Sequence, residues 1–444
     1  MANQFSKTKL AAAVGAAAFG AGLAAPAGAV VVVGGNDGWE VSFDGNVNAF
    51  YTVGDYDNGY FTESADKDSS RVHSGFLPAF FSFNVKSPTV NGMTGSARIS
   101  FAPTIQNGGN KTQFNAGIGN NGSVPGINGA QIDTREVLAN LSGAFGEVSF
   151  GRTLSLFGRN AILNDMTLFG VGFAPGADHF GSVTFGRVGH GYTYPDFSAR
   201  FQYTTPVVNG FQLAVGLYDP SNLSGVTSYA GGPGGAGGML DETDTPRFEG
   251  ELSYSTAFSN GTAKLWLDGS WQDIDSSCTG IGATLGGVAA TCGSITAQAW
   301  GAGAKLGYMG FEFVGYYYDQ EGLGLTAQFN GASVYVDANG NVRERQGDGY
   351  YIQGTYTFSG KTKVGLSYGE GNLDSIGATD TSLYGFGTGN GNVERTMWTV
   401  GVYHDVNSWL RLIAEYNHGQ FDRGIANDSE PEADTFSVGG FLFW

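Results

Sequence analysis

Five histidines, His73, His179, His190, His404 and His418, are the side chains of this chain best suited to acid–base or metal chemistry. None lies four residues from another, so none forms the pair by which a helix offers two metal ligands. Serine, histidine and acid drawn from separate strands leave an outer-membrane hydrolase open as the alternative. No G-x-S-x-G elbow, the sharp strand-to-helix turn that presents a serine, is expected. The glycine tract 231–238 lacks the strand-then-helix frame of a dinucleotide fingerprint and reads as an external loop. Asp337-Ala338-Asn339-Gly340-Asn341 resembles a calcium loop only faintly: its glycine is misplaced and no glutamate closes it. An Asn-Gly hairpin fits it better. No metal, cofactor or catalysis is expected from these residues.

They belong to an exported chain. Residues 1–29 read as a signal peptide: Lys7 and Lys9 form the basic region, Leu10 to Leu23 the apolar run, and Ala27-Gly28-Ala29 the cleavage site, with cleavage after Ala27 a close alternative. The run is too short to span a bilayer. Removing 29 of the 444 residues leaves residues 30–444 as a single domain. Cys278 and Cys292 lie in one glycine-rich stretch and, in an oxidising periplasm, are expected to form a loop disulfide. Such a link removes roughly 3 kcal/mol of unfolded-state entropy. Alkylation of the unreduced, denatured protein should then label neither sulfur; full labelling of both would end the idea.

Only 14% of the residues are charged, against roughly 25% in soluble domains, while 14% are aromatic. The formal charge is −18, and −20 without Lys7 and Lys9, which excludes a nucleic-acid binder and suggests a mild preference for cations. Beyond the signal peptide no apolar stretch is long enough for a transmembrane helix, so a membrane protein of this composition has to be a closed barrel.

The elements that position the polar residues follow a period of two. Val41, Phe43, Val47, Ala49, Tyr51 and Val53 share one face of a strand, and Ser42, Asp44, Asn46 and Asn48 the other. Phe248, Leu252 and Tyr254 alternate with Arg247, Glu249, Glu251 and Ser253, and Leu265, Leu267 and Trp271 with Lys264, Asp268 and Ser270. The gaps between strands alternate in length. Short turns such as 87–92, 206–210, 309–310 and 359–360 hold the glycine and asparagine of tight hairpins. Between them come long polar stretches at 54–70, 104–133, 153–190, 219–245, 274–294, 320–347, 371–392 and 420–433. Seven short turns alternating with eight long loops join sixteen strands. Loops sorted by length to opposite ends are the mark of an outer-membrane barrel. The last strand ends Phe441-Leu442-Phe443-Trp444, with Leu442 and Trp444 on one face, the closing pattern that such barrels share.

Three segments resemble the general porins of Gram-negative outer membranes: Leu141 to Arg152, Tyr203 to Phe211, and the C-terminal strand. The resemblance implies a trimeric, sixteen-stranded barrel through which ions and small hydrophilic solutes diffuse; a substrate-specific channel of similar build is the runner-up. It further implies that the third loop, 153–190, folds into the lumen and presents acids to arginines on the wall. Asp165 matches an acidic position of that loop. The second acid is replaced by Phe169, and Asp178 is the candidate substitute. Arg71, Arg135 and Arg187 match the wall cluster, and Arg98 and Arg152 are further candidates by position. The partners expected are two further copies of the chain, outer-membrane lipids and small solutes.

Overall fold

The computed structural model describes residues 30–34, 38–57, 67–105, 132–174, 184–221, 223–224, 239–240, 245–275, 293–329, 333–336, 341–374, 392–422 and 430–444. The chain forms a closed antiparallel barrel of sixteen strands. The first eight are β1 (Glu40–Asp57), β2 in two segments (Lys67–His73 and Phe80–Lys86), β3 (Thr94–Pro103), β4 (Ile132–Gly143), β5 (Gly146–Leu154), β6 (Phe197–Thr204), β7 (Phe211–Tyr218) and β8 (Arg247–Phe258). The second eight are β9 (Gly261–Asp275), β10 (Ser294–Tyr308), β11 (Phe311–Glu321), β12 (Gln346–Phe358), β13 (Thr362–Leu373), β14 (Val393–Asp405), β15 (Leu410–Asp422) and β16 (Glu432–Phe443). Each pairs with the next, and β16 closes on β1 from Asn46↔Phe443 to Asp57↔Glu432. Closure leaves no free edge, the condition for strands to cross a bilayer. A short ladder strand, Val30–Gly34, lies against the start of β1. Among the described residues no helix is long and apolar enough to cross a membrane.

The alternation is inside out relative to a water-soluble protein. Phe248 and Leu252 on β8 are exposed, whereas Arg247, Glu249, Glu251 and Ser253 are buried. On β1, Val41, Phe43, Val47, Tyr51 and Val53 are exposed and Asp44, Asn46, Asn48 and Thr52 buried. Over the apolar belt the outer surface therefore suits lipid, and charge at that depth is kept to the lumen, as the cost of ionised groups in hydrocarbon demands. Ring pairs mark both ends of the apolar belt: Phe258–Tyr308 and Phe311–Tyr356 near the short turns, Phe248–Trp271, Trp300–Tyr317 and Trp398–Tyr416 near the long loops. These are interfacial girdles. Trp444 packs its ring on Phe81, and its N–H donates to Gly45 O at 3.1 Å, which seals the last strand to the first.

Four short turns are of one kind. Asn91-Gly92, Asn209-Gly210, Met309-Gly310 and Ser359-Gly360 each have two successive positive φ values. That is the turn whose twist matches a hairpin, and asparagine and glycine tolerate it best.

Two departures from the expected strands matter for the site. The stretch 71–86 is broken at Ser74–Ala79, which turns inward and is buried. Pro78 has no N–H for a ladder, and the backbone groups of Phe76 and Leu77 are taken by the third loop instead. That loop also extends beyond 190, to Asp196. The alternating Gly189-His190-Gly191-Tyr192-Thr193-Tyr194 mimics a strand, yet it lies in the lumen, where His190 and Tyr192 are fully buried.

Candidate functional site

The third loop crosses the barrel and is held from every side by polar groups of the wall. As the chain leaves β5, the N–H groups of Leu156 and Phe157 donate to Glu249 Oε2 (2.7 and 3.0 Å), and that of Gly158 to Asp268 Oδ2 (3.2 Å). These N–H groups open the short helix α1 (Arg159–Asn164), where the first turn lacks partners of its own. Arg159 makes a forked pair with Glu251 at 2.9 and 3.2 Å. Tyr351 OH donates to Ala161 O, and the Gln353 amide holds both sides of the next bend, accepting from Met166 N–H (2.9 Å) and donating to Asn164 O (2.7 Å).

The tip is fixed by Glu415 on β15. Its Oε2 accepts the N–H groups of Val171 (2.7 Å) and Gly172 (2.9 Å), and its Oε1 accepts Tyr403 OH (2.5 Å). A Cβ on Gly170 would lie 1.8 Å from Glu415 Oε1, so any larger residue there would push this carboxylate aside. The inward break of β2 completes the grip: Phe76 N–H donates to Gly170 O (2.9 Å) and Leu77 N–H to Leu168 O (3.2 Å). The loop's apolar residues face the wall, with Phe169 set edge-on against Phe441 and Phe443.

The sequence candidates fall in four kinds of place. Asp165 and Arg187 stand together on the inserted loop, wholly buried, with Nε 4.0 Å from Oδ1. Asp165 accepts Thr167 N–H and Oγ–H and Tyr192 OH. Arg187 is therefore not on the wall opposite the loop, where the resemblance had placed it. It reaches outward from the loop and donates to Met397 O (2.8 Å), Thr399 Oγ1 (3.1 Å) and Ser367 Oγ on β13 and β14. Arg71, Arg98 and Arg135 are on the wall. Arg71 pairs in register with Thr52 on the lumen face, and Arg98 bridges Asp44 (2.8 Å) and Glu136 (2.7 Å). Arg135 occupies a bulge, because β3 passes from Ser100↔Glu136 to Phe101↔Thr134. The extra residue lets Arg135 and Glu136 both be buried. Arg135 meets Asp133, Tyr194 OH and the rings of Phe80 and Phe197. Arg152 differs: its ladder partners Val137 and Ala199 are exposed, so the register puts it on the outward face at the outer end of β5. Asp178, Cys278, Cys292 and His179 lie outside the described residues, as does 337–340 of the faint calcium motif.

The G-x-S-x-G string does occur, as Gly365-Leu366-Ser367-Tyr368-Gly369, contrary to expectation. It is straight strand in β13, and Ser367 serves Arg187. Among the described residues no three His, Cys, Asp or Glu side chains are grouped to hold a metal. His190 is packed against Phe173 (5.0 Å); burial first, then Arg395, holds its imidazole well below the ordinary range. Burial and the neighbouring Asp165 push the Tyr192 phenol well above its own. Both side chains are neutral scaffolding near pH 7.

Glu249, Asp268, Gln353 and Glu415 are the functional residues that the sequence reading missed. Their signal was faint: polar groups on the lumen face of otherwise apolar strands. Their partners are backbone N–H groups of a distant loop, which no residue type announces.

A second set of charges lines the half of the lumen nearer the short turns. Lys264 on β9 and Lys305 on β10 are direct ladder partners. Lys363 on β13 and Arg411 on β15 continue the row. Lys305 pairs with Glu312 (2.8 Å) and Arg411 with Asp405 (2.6 Å). Lys264 instead donates to Asn160 Oδ1 (2.5 Å), and Lys363 lies 5.3 Å from the centre of the Tyr403 ring. Neither has a carboxylate within ion-pair distance among the described residues. Many acids sit elsewhere, on the outward face near the long loops, as in the ladder pairs Asp319↔Asp348 and Asp55↔Asp434.

A sealed barrel with lipid-facing girdles, a polar lumen and a loop pinned across it is the architecture of a diffusion channel. The Gram-negative porin family matches residues 10–424, and the chain belongs to that family. It is an outer-membrane channel for small solutes. Its fold is similar to the outer-membrane channel DcaP of Acinetobacter baumannii, with 12% identity over 94% of this chain and all of that one, and a TM-score of 0.59. It is likewise similar to the anion-selective porin of Comamonas acidovorans (13% identity, 91% of this chain and 100% of that one, TM-score 0.55). OmpF of Salmonella typhi matches over 94% of this chain and 100% of its own, with 12% identity and a TM-score of 0.54. At such identities these likenesses speak for the fold alone. No curated protein sequence matches.

Proposed function

We propose that this channel passes small hydrophilic solutes by passive diffusion, without catalysis, and favours anions over cations. The observation that carries the preference is that Lys264 and Lys363 face the lumen with no carboxylate within ion-pair distance among the described residues, Lys305 being paired with Glu312. Cations on the lumen wall that no acid neutralises give a field that draws anions. The formal charge of −18 argues the other way only if its position is ignored. Acids on the outward face are separated from the lumen by the wall, whereas Glu249, Asp268 and Glu415 are occupied by loop N–H groups. Lys264 and Lys363 remain to meet a passing ion.

A unit charge about 4 Å from that ion is worth about 1 kcal/mol in water-like surroundings, or about fivefold in permeability. Lys264→Gln with Lys363→Gln should therefore lower the anion-to-cation permeability ratio severalfold, read from reversal potentials across a salt gradient in planar bilayers. A ratio that does not move, or a wild-type channel that already prefers cations, would retire the reading.

We place the constriction where the third loop crosses the lumen. Arg71, Arg98 and Arg135 form the facing wall, and the Asp165–Arg187 pair supports the loop from within. We further propose cleavage after Ala29, at the small-residue site Ala27-Gly28-Ala29, and assembly as a homotrimer through the apolar outer face. Unheated gel electrophoresis should show a heat-labile oligomer; a single-chain mass in mild detergent by light scattering would count against it.

A further inference from the structure

The third loop has a second layer above it. The stretch 320–347 was expected to be external, yet its first part folds inward as soon as β11 ends at Glu321. Leu323 and Leu325 are fully buried, and Thr326, Ala327, Gln328 and Phe329 nearly so. The segment bonds to the inserted part of the third loop as a parallel bridge, Tyr194↔Ala327. Tyr194 N–H donates to Thr326 O (2.7 Å), and Gln328 N–H to Tyr194 O (3.3 Å). The Gln328 amide adds a bond to Phe157 O at 3.1 Å, near where the third loop begins.

Its contacts reach across the lumen. At one end, Gly322 N–H donates to Arg345 O, which ties the segment to the start of β12. In the middle, Leu325 comes within reach of Gly189 and Gly371, the latter on β13; a Cβ on Gly371 would meet Leu325 Cδ1 at 3.4 Å. At the far end, the Phe329 ring sits 4.9 Å from the Arg247 guanidinium on β8. The Tyr218 ring lies 5.1 Å from the same guanidinium, and Arg247 also donates to Ser155, Ser198 and Ser221. Arg247 thus clasps the end of this segment and the start of the third loop at once. A guanidinium so placed against aromatic rings is attracted to their faces, the more strongly for being desolvated.

We propose that residues 322–329 form a strap over the third loop, clasped by Arg247 on Phe329, and that this strap sets the size limit for solutes entering from the long-loop side. An apolar alternation, Leu323-x-Leu325-x-Ala327-x-Phe329, has no use in a loop that meets only water. Laid on the inserted loop, it narrows the same aperture. The strap acts on size and sits at the opposite end from the lysine row, so its test is independent of the selectivity reading.

Two variants test it. Leu323→Ser, Leu325→Ser and Phe329→Ser together remove the apolar contacts while leaving the strands intact. Single-channel conductance should rise on the order of twofold as the strap comes loose from the third loop and the aperture widens, and sugars excluded by the wild type should enter proteoliposomes in swelling assays. Unchanged conductance and an unchanged size limit would overturn the proposal. Tyr194→Cys with Ala327→Cys should form a disulfide on mild oxidation in the intact membrane, found as a cross-linked tryptic peptide, with conductance no greater than that of the wild type. Failure of these ladder partners to cross-link would show that the strap does not lie on the third loop, and would overturn the proposal even if the serine variant failed to fold.

Discussion

Glu415→Ala is expected to release the tip of the third loop from the wall and to enlarge the channel. The carboxylate accepts two backbone N–H groups and a tyrosine hydroxyl, all buried. A hydrogen bond to a charged group contributes about 1.5–3 kcal/mol, and orphaned buried N–H groups cost more than bonds merely lost to water. Removing the two backbone bonds should therefore shift the loop position by about 3–6 kcal/mol, enough to populate detached states that are negligible in the wild type. Single-channel recordings should show a larger and noisier conductance, with faster loop cleavage by added protease. Glu415→Gln is expected to rescue in part, because its amide oxygen can still accept both N–H groups while its NH₂ faces the Tyr403 oxygen. A quiet Glu415→Ala channel of wild-type conductance would show that Glu415 does not anchor the loop.

Arg187→Met is expected to be among the most damaging single substitutions in the chain, although the side chain touches no solute path. Arg187 and Asp165 are completely buried as a pair, and breaking a buried pair by removing one member costs about 3–5 kcal/mol because the other charge is stranded. Asp165→Asn should damage for the same reason, since Thr167 and Tyr192 donate to that carboxylate. The double variant should be more stable than Arg187→Met alone, and its reversal potential should match the wild type. The measurements are the temperature of the gel-shift unfolding transition and the reversal potential in a salt gradient. Strictly additive losses would dissolve the pair. A large selectivity change in the double variant would return these residues to the solute path, where the porin resemblance had put them.

The misplacement of Arg187 marks where sequence reading stops. The barrel was legible because a bilayer imposes a simple rule on every strand: apolar outward, polar inward, with a period of two. Phe248 and Glu249 obey it as plainly in the chain as in space. The strand count followed from turns such as Asn209-Gly210, whose paired positive φ values only a few residue types accept. The inward fold of the third loop was expected from the porin resemblance; an apolar run with no purpose in water, Met166-Thr167-Leu168-Phe169, is an independent test of it. The same test applied to Leu323-Gly324-Leu325-Thr326-Ala327 would have found the strap, which the external position of that loop concealed.

What the residues alone could not decide was the partner of each charge. Arg187 lies between Gly186 and Val188 in the sequence, and nothing local tells whether it points across the lumen or back into the wall. Long-range packing turned it toward Ser367, Thr399 and Met397. Net charge was no better a guide. Whether an acid repels a passing anion depends on whether it faces the lumen and whether a backbone N–H already holds it, as Glu249 and Glu415 are held. Residue types and their period determined the barrel, its turns and its lipid-facing surface, because those are local responses to one solvent boundary. The tertiary structure alone decided which charges stay open to solute, because that depends on contacts between residues as far apart as Gly172 and Glu415.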